Sequence, residues 1–412
     1  MDADVLVVGA GPAGATAARA LASAGVSTLL LDRAAFPRHK PCGGALSARA
    51  VTRFPYLSSA LPRISTHWIS RLHLEGPTGT SVRLESRRPA ALMIRRVEFD
   101  RLLVDLASEA GASIVEQAEV IEAAHRGSRL EVRTRDGRRF TGRYLIAADG
   151  VHSVTARRLG LVDAWPRSSL AIDMMEETPA RVLRAVDPGT LWVRYGARAS
   201  RRDGDSALWE GYAYVFPKRE HTNVGIGYLL PAYRAASPGP AYASQRAFVN
   251  ELIDTGVLSG ASARECFTPF LIPVAGPRRE VARGPVLLAG DTAGFVNGLT
   301  AEGIYYAMVS GELAGKAIVR ALGVRRGADP AAWYTAASRA EIGSELRDSI
   351  RLQRYLFGDP SRVAGVIAGA REHAGLSHLV IRYFMGEVAY SRVRVGVLAR
   401  SPRLLWSLVR AS

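Results

Sequence analysis

Cysteine is nearly absent from this chain: Cys42 and Cys266 are the only two in 412 residues. That is too few for a disulfide scaffold, and it fits a protein expected to work in a reducing cytoplasm. Lysine is almost as scarce. Only Lys40, Lys218 and Lys316 stand among the 54 basic residues, so arginine carries nearly all of the +16 net charge. Eight histidines offer neither H-E-x-x-H nor a Cys/His ligand spacing, which leaves no metal site. G-x-S-x-G is missing, and with it the nucleophile elbow of the α/β hydrolases. No zinc finger, helix-turn-helix or RNA-binding signature accompanies the basic charge, so no nucleic-acid partner is expected. No unbroken apolar run reaches the roughly 18–20 residues a membrane span requires. The apolar amino terminus also lacks the basic leader and cleavage site of a signal peptide.

What the chain does contain is an ample apolar fraction, 48% of its residues. Its length exceeds what one compact core usually holds, which predicts two closely packed domains plus an extension. ADVLVVGAGPAGATAARALASAGVSTLLLD parses as strand, glycine turn, helix and strand, the opening βαβ of a doubly wound sheet. Alternating apolar and polar residues from about 64 to 98 predict antiparallel strands, and EFDRLLVDLASEAGA has helical spacing up to a stop at Gly111. SRLEVRTRDGRRFTGRYLIAADG reads as a hairpin turning at Asp136-Gly137, followed by a buried strand. The span from about 165 to 275 is strand-rich and broken by RRDGDS and SPGP. PVLLAGD then returns as a buried strand, and the remainder from about 330 is mostly helical.

Gly9-Ala10-Gly11-Pro12-Ala13-Gly14 satisfies G-x-G-x-x-G after a strand and at the start of a helix. Its glycines allow the tight turn, the approach of a pyrophosphate and the packing of helix on strand. Asp32, at the end of the second strand, is placed to accept hydrogen bonds from a ribose hydroxyl pair. The fingerprint alone does not separate NAD from FAD. AADGVHS (147–153) and LLAGDTAGFVNGLTAEGI (287–304) each end a buried strand in an Asp-containing turn. Asp291 can hold a ribityl or phosphate-side hydroxyl, and the amides around Ala301 to Ile304 form a positive terminus suited to the charge of a reduced flavin.

GAGPAG, RVEFD with Arg96, AADGVHS and GDTAGFVNGLTAEGIYYAM together resemble the p-hydroxybenzoate hydroxylase-like flavoproteins. KPCGG and YAYVFPKREHTNVGIG narrow the resemblance to the geranylgeranyl reductase family, with its P-C-G-G segment and Y-x-W-x-F-P-(x)7-G-x-G motif. Tyr214 stands where that family usually has tryptophan, and Gly298 where it has proline. The resemblance implies an α/β fold: a Rossmann-type FAD-binding domain (1–60, 99–162, 276–325), an inserted antiparallel-sheet substrate domain (61–98, 163–275) and a helical C-terminal region (326–412). It implies FAD contacts by Ala13, Asp32, Arg33, Arg96, Val120, Asp291, Gly298, Gly303 and Ile304, beside the glycines of the fingerprint. Cys42, Gly43 and Gly44 would lie beside the isoalloxazine ring, and Tyr212, Tyr214, Phe216 and Pro217 would wall an apolar substrate pocket. Cys42 keeps two readings, a thiol that serves catalysis and a half-buried packing residue.

The implied activity is FAD-dependent saturation of isoprenoid double bonds, with NAD(P)H or a small redox protein as electron donor. Two alternatives stay open: a flavin monooxygenase acting on an aromatic or terpenoid compound, and a non-catalytic prenyl-lipid carrier. The basic amphipathic tail reads either as a face for an anionic membrane surface or as a solvated face over a domain edge.

Overall fold

In the computed structural model the described residues are 1–77, 79–89, 91–196, 198–200, 206–208, 211–236, 240–323, 329–384 and 386–388. The basic tail beyond 388 and most of RRDGDS and SPGP lie outside them. The chain divides into two compact units: Met1–Lys40, Arg96–Ser169 and Ile272–Arg347 form the first, and Pro41–Arg95, Leu170–Leu271 and Asp348–Ser412 the second. KPCGG therefore straddles a boundary, with Lys40 in the first unit and Cys42 in the second.

The first unit is built on a six-stranded sheet. Five of its strands run parallel, in the order Val286–Leu288, Tyr144–Ala147, Val5–Val8, Thr28–Leu31 and Ser113–Val115, and Ala282–Arg283 adds antiparallel at the Val286 edge. Val5–Val8 and Thr28–Leu31 are buried at every position, as strands covered on both faces must be. Helix Pro12–Ala22 packs against helix Ile304–Gly323 through small residues. A Cβ on Gly311 would stand 2.9 Å from the Ala13 carbonyl carbon, so only glycine lets the two backbones approach. The expected hairpin is present: Arg129–Thr134 pairs with Arg139–Gly142 around Gly137, which has φ +88°.

The second unit centres on a seven-stranded sheet. Its strand order runs Phe267–Pro273, Leu170–Pro179, His221–Leu229, Gly211–Pro217, Thr190–Tyr195, Arg71–Glu75, Ser81–Glu85. The predicted strands of 64–98 divide between two sheets, because Ala91–Ile94 pairs with Thr66–Ile69 on one side and with Ala45–Ser47 on the other instead. One face of the large sheet carries Ala213, Val215, Val224 and Ile226 into a core with Trp192, Phe248, Val249 and Leu252, the last three-residue set coming from helix Ala241–Asp254. By the two-residue period of a strand, Tyr212, Tyr214 and Phe216 point to the opposite face.

Candidate active site

The first unit holds an anion cradle. Gly9 has φ +99°, and a Cβ there would lie 2.7 Å from the Ala148 carbonyl carbon and 2.9 Å from Asp149 Cα. At Gly11 the space is open: the nearest atoms to a Cβ would be Arg38 Nη2 at 3.8 Å and Arg96 Nη2 at 4.0 Å. Gly11 is also the N-cap of helix Pro12–Ala22, with no side-chain cap on its first-turn amides and with two guanidinium groups nearby. A bare turn, an uncapped helix start and two cations suit a pyrophosphate, and these residues fit FAD.

The arginines are fixed by carboxylates. Arg96 makes a bidentate pair with fully buried Asp100, Nε to Oδ1 at 2.6 Å and Nη2 to Oδ2 at 2.8 Å. Arg38 shares that residue, Nη1 to Oδ2 at 3.0 Å, and approaches Asp32 at 3.6 Å. Asp32 accepts the amide hydrogens of Ala10 (2.8 Å) and Ala34 (2.9 Å), which braces the glycine turn and leaves each oxygen further acceptor capacity. Arg33 is exposed, and Val120 is buried at the head of its strand. Arg38 and Asp100 were not singled out from the sequence. The i, i+4 spacing of Arg96 and Asp100 on a helix was the available signal.

The two later strand-end turns are tied together: Gly150 N–H donates to Thr292 Oγ1 at 2.9 Å, and that hydroxyl donates back to Gly150 O at 3.2 Å. Asp149 turns inward on its own segment, accepting from Ser153 Oγ and Thr155 N. Burial pushes the Asp291 carboxyl up from its ordinary range, while the charges of Lys40 and Arg96 pull it back. A Cβ on Gly303 would stand 3.5 Å from Asp291 Oδ1, so this carboxylate borders the start of helix Ile304–Gly323. Ahead of that helix, Asn297 Oδ1 accepts from Leu299 N and Thr300 N, wrapping the turn that contains buried Gly298. Ala301 has φ +54°, a left-handed conformation that costs a residue with a Cβ about 1–2 kcal/mol.

The second unit gathers Cys42, Gly43 and Gly44 with the aromatic strand. Tyr212, Tyr214 and Phe216 follow one another along it, with ring centroids 6.0 and 4.4 Å apart, and Tyr195 continues the row 5.3 Å from Tyr212. Gly43 lies on this row, where a Cβ would be 3.0 Å from Phe216 Cδ2 and Cε2 and 3.6 Å from Tyr214 Cε2. Gly44 has φ +74° and leaves no room for a side chain beside Lys218 Nζ, 2.7 Å from the would-be Cβ. Lys218, next to buried Pro217, is itself buried and paired with Glu177. Half-buried Cys42 accepts the Gly44 amide hydrogen on Sγ at 3.4 Å, and its carbonyl accepts from Asn223 Nδ2 at 3.1 Å. Burial drives the Tyr212 and Tyr214 phenols well above their ordinary range, and the charges of Asp173 and Cys42 add to it.

The family model of an FAD binding domain matches residues 2–340. Digeranylgeranylglycerophospholipid reductase 1 of Methanopyrus kandleri is 33% identical over 338 residues, 78% of this chain and 82% of that protein. The chain belongs to the geranylgeranyl reductase family of FAD-dependent oxidoreductases. Menaquinone reductase of Mycobacterium tuberculosis is 31% identical over 328 residues, covering 76% of this chain and 75% of the relative. A geranylgeranyl bacteriochlorophyll reductase-like protein of Thermoplasma acidophilum shares the fold with a TM-score of 0.79 and 20% identity over 99% of both chains. A flavin-dependent brominase, Bmp2, has the same fold at a TM-score of 0.71 and 16% identity, covering 98% of this chain and all of that one.

Within this family the spacing of the motif acquires a physical reason. Tyr214 is the cross-strand partner of Gly225, and Tyr212 of Gly227. The aromatic residues and the glycines that follow Pro217 after seven intervening residues are thus one construction, seen from two strands of a hairpin. Asp173, on the strand beyond Gly225 and Gly227, was missed in the sequence. A lone acid within the apolar run LAIDMM was its only signal.

Proposed function

We propose that this chain is an FAD-dependent reductase that saturates carbon-carbon double bonds of an isoprenoid chain, a step of lipid biosynthesis. The observation that carries this reading is the aromatic row Tyr195, Tyr212, Tyr214 and Phe216, on which Gly43, between Cys42 and Gly44, rests with no side chain between. Flat aromatic rings offer an unsaturated hydrocarbon a large dry surface. Relatives named for a digeranylgeranyl phospholipid and for menaquinone support it, since both compounds carry a polyprenyl chain.

FAD, once bound and reduced, would supply the hydride for one alkene carbon, the other carbon taking a proton. Gly9, Gly11, Asp32, Arg38 and Arg96 would hold the cofactor through its pyrophosphate and adenosine side, and Asp291 and the Gly303–Ile304 turn through the ribityl and ring side. Gly43 and Gly44 would permit close approach, Cys42 would help place the alkene or its proton, and the rings would exclude water. NAD(P)H or a small redox protein would restore the reduced cofactor. Among the described residues no helix is long and apolar enough to cross a membrane.

The test reduces the purified protein anaerobically and follows flavin absorbance on adding a geranylgeranyl lipid, with an air-mixing control. Rapid reoxidation by lipid without oxygen is expected. Reoxidation by oxygen alone, through a transient adduct, would make the protein a monooxygenase. A colourless protein that binds the lipid would make it a carrier.

A further inference from the structure

Tyr214 does not end its reach on its own strand. Its phenol donates a hydrogen bond to Asp173 Oδ2 at 3.0 Å, and Asp173 lies two strands away. The strand order is Leu170–Pro179, His221–Leu229, Gly211–Pro217, so the ring must cross the middle strand to arrive there. It crosses at Gly225, where a Cβ would stand 2.5 Å from Tyr214 Cε1 and closer still to Cζ and the phenol oxygen. Asp173 is itself the cross-strand partner of Gly227, so both glycines lie between acid and aromatic strand. Tyr214 is 2% and Asp173 7% exposed. A hydrogen bond to a carboxylate in such dry surroundings is both strong and directional.

Resting on the reductase reading, we propose that Asp173 is a positioning residue for the reaction, acting through Tyr214 on the Cys42–Gly44 segment. The tether holds the ring flat across Gly225. That flat ring, with Phe216 4.4 Å away, is the floor on which Gly43 sits. Cys42 is bonded into the same segment through the Gly44 amide and through Asn223. If the tether is cut, the ring gains freedom to tip, and the floor under Gly43 and the aromatic row shift together. The same tether gives a reason for tyrosine at a position where the family motif carries tryptophan, because the phenol is the group that reaches Asp173.

The test compares Asp173→Leu, Tyr214→Phe and Asp173→Asn in the FAD-loaded protein. Two readouts are used: the alkylation rate of Cys42 by iodoacetamide, located by peptide mapping, and the rate at which a geranylgeranyl lipid reoxidises the reduced flavin. Asp173→Leu is expected to change the Cys42 alkylation rate severalfold and to slow lipid-dependent reoxidation about tenfold at saturating lipid, with the flavin still bound. Tyr214→Phe, which keeps the ring and loses the donor, should reproduce both effects, so the proposal stays testable if the leucine variant fails to fold. Asp173→Asn keeps an acceptor and should restore both rates to within about twofold. An unchanged alkylation rate in Tyr214→Phe overturns the proposal. So does an asparagine variant as impaired as the leucine one. A changed alkylation rate in a protein whose wild type never reacts with the lipid upholds the tether and overturns the reductase reading alone.

Discussion

Tyr214 lies against the bare backbone of Gly225, with its Cε1 only 2.5 Å from where a Cβ would stand. That relationship divides the two glycines of the motif. Gly225→Ala should push the ring off its strand and destabilise the protein by about 1–3 kcal/mol, as overpacked cores do. Gly227→Ala meets only Tyr212 O at 3.6 Å, an ordinary contact, and should be nearly silent. Thermal unfolding of the two variants checks the contrast, and equal losses would mean that the ring is not seated as described.

Cys42 stands where a packing role and a catalytic one make different demands. Cys42→Ala should retain bound FAD and slow alkene reduction about tenfold or more. Among the described residues its side chain accepts only the Gly44 amide, at 3.4 Å, so little stability rests on it. Anaerobic single-turnover reoxidation by lipid is the measurement, and unchanged turnover would return Cys42 to packing.

Arg38 reaches the glycine turn from outside the motif that the sequence displays. Arg38→Ala should weaken FAD binding about 10–100-fold, the loss of one or two charge-assisted hydrogen bonds, and should reduce the salt dependence of binding. Flavin fluorescence titration of the apoprotein at two ionic strengths measures both. Asp100→Ala is expected to do more harm, because it strips the shared carboxylate from Arg38 and Arg96 and leaves two cations facing each other.

Much of this was legible in the chain because it is written locally. The fingerprint names its own strand, turn and helix, and the alternation of Tyr212, Tyr214 and Phe216 names a face. The glycine at 225 was visible as a motif but not as the bed of an aromatic ring, since that depends on the hairpin register. The tether to Asp173 spans 41 positions and two strand pairings, and Arg38 meets Asp100 only after the helix Arg96–Glu109 has packed. Local propensity does not encode such pairings. The division of residues 64–98 between two sheets was hidden for the same reason, because alternation shows that a strand has two faces but not which neighbour it takes.

Glu176 supplies a dependence on pH. It is fully buried on the strand Leu170–Pro179, and burial raises its carboxyl above the ordinary value of 4.5, against the donors Ala263 N and Ser262 Oγ, each at 3.0 Å on Oε2. The Gln245 side chain beside it also favours the carboxylate, but its Nε2 donates to Val224 O at 3.0 Å, and Glu176 Oε1 and Gln245 Oε1 have no described partner at hydrogen-bond geometry. The folded protein therefore holds this proton more tightly than the unfolded chain. The stability gained is full below the ordinary carboxylate range and is lost as pH rises through the raised value. Glu176→Gln removes the titration, keeps an oxygen for Ala263 and Ser262, and offers an N–H in the direction of Gln245. The unfolding midpoint of the glutamine variant should exceed that of the wild type by a margin that grows between about pH 4 and pH 8. Denaturant unfolding across that range checks it, and a margin that shrinks with rising pH would mean that Glu176 is stabilised as the anion.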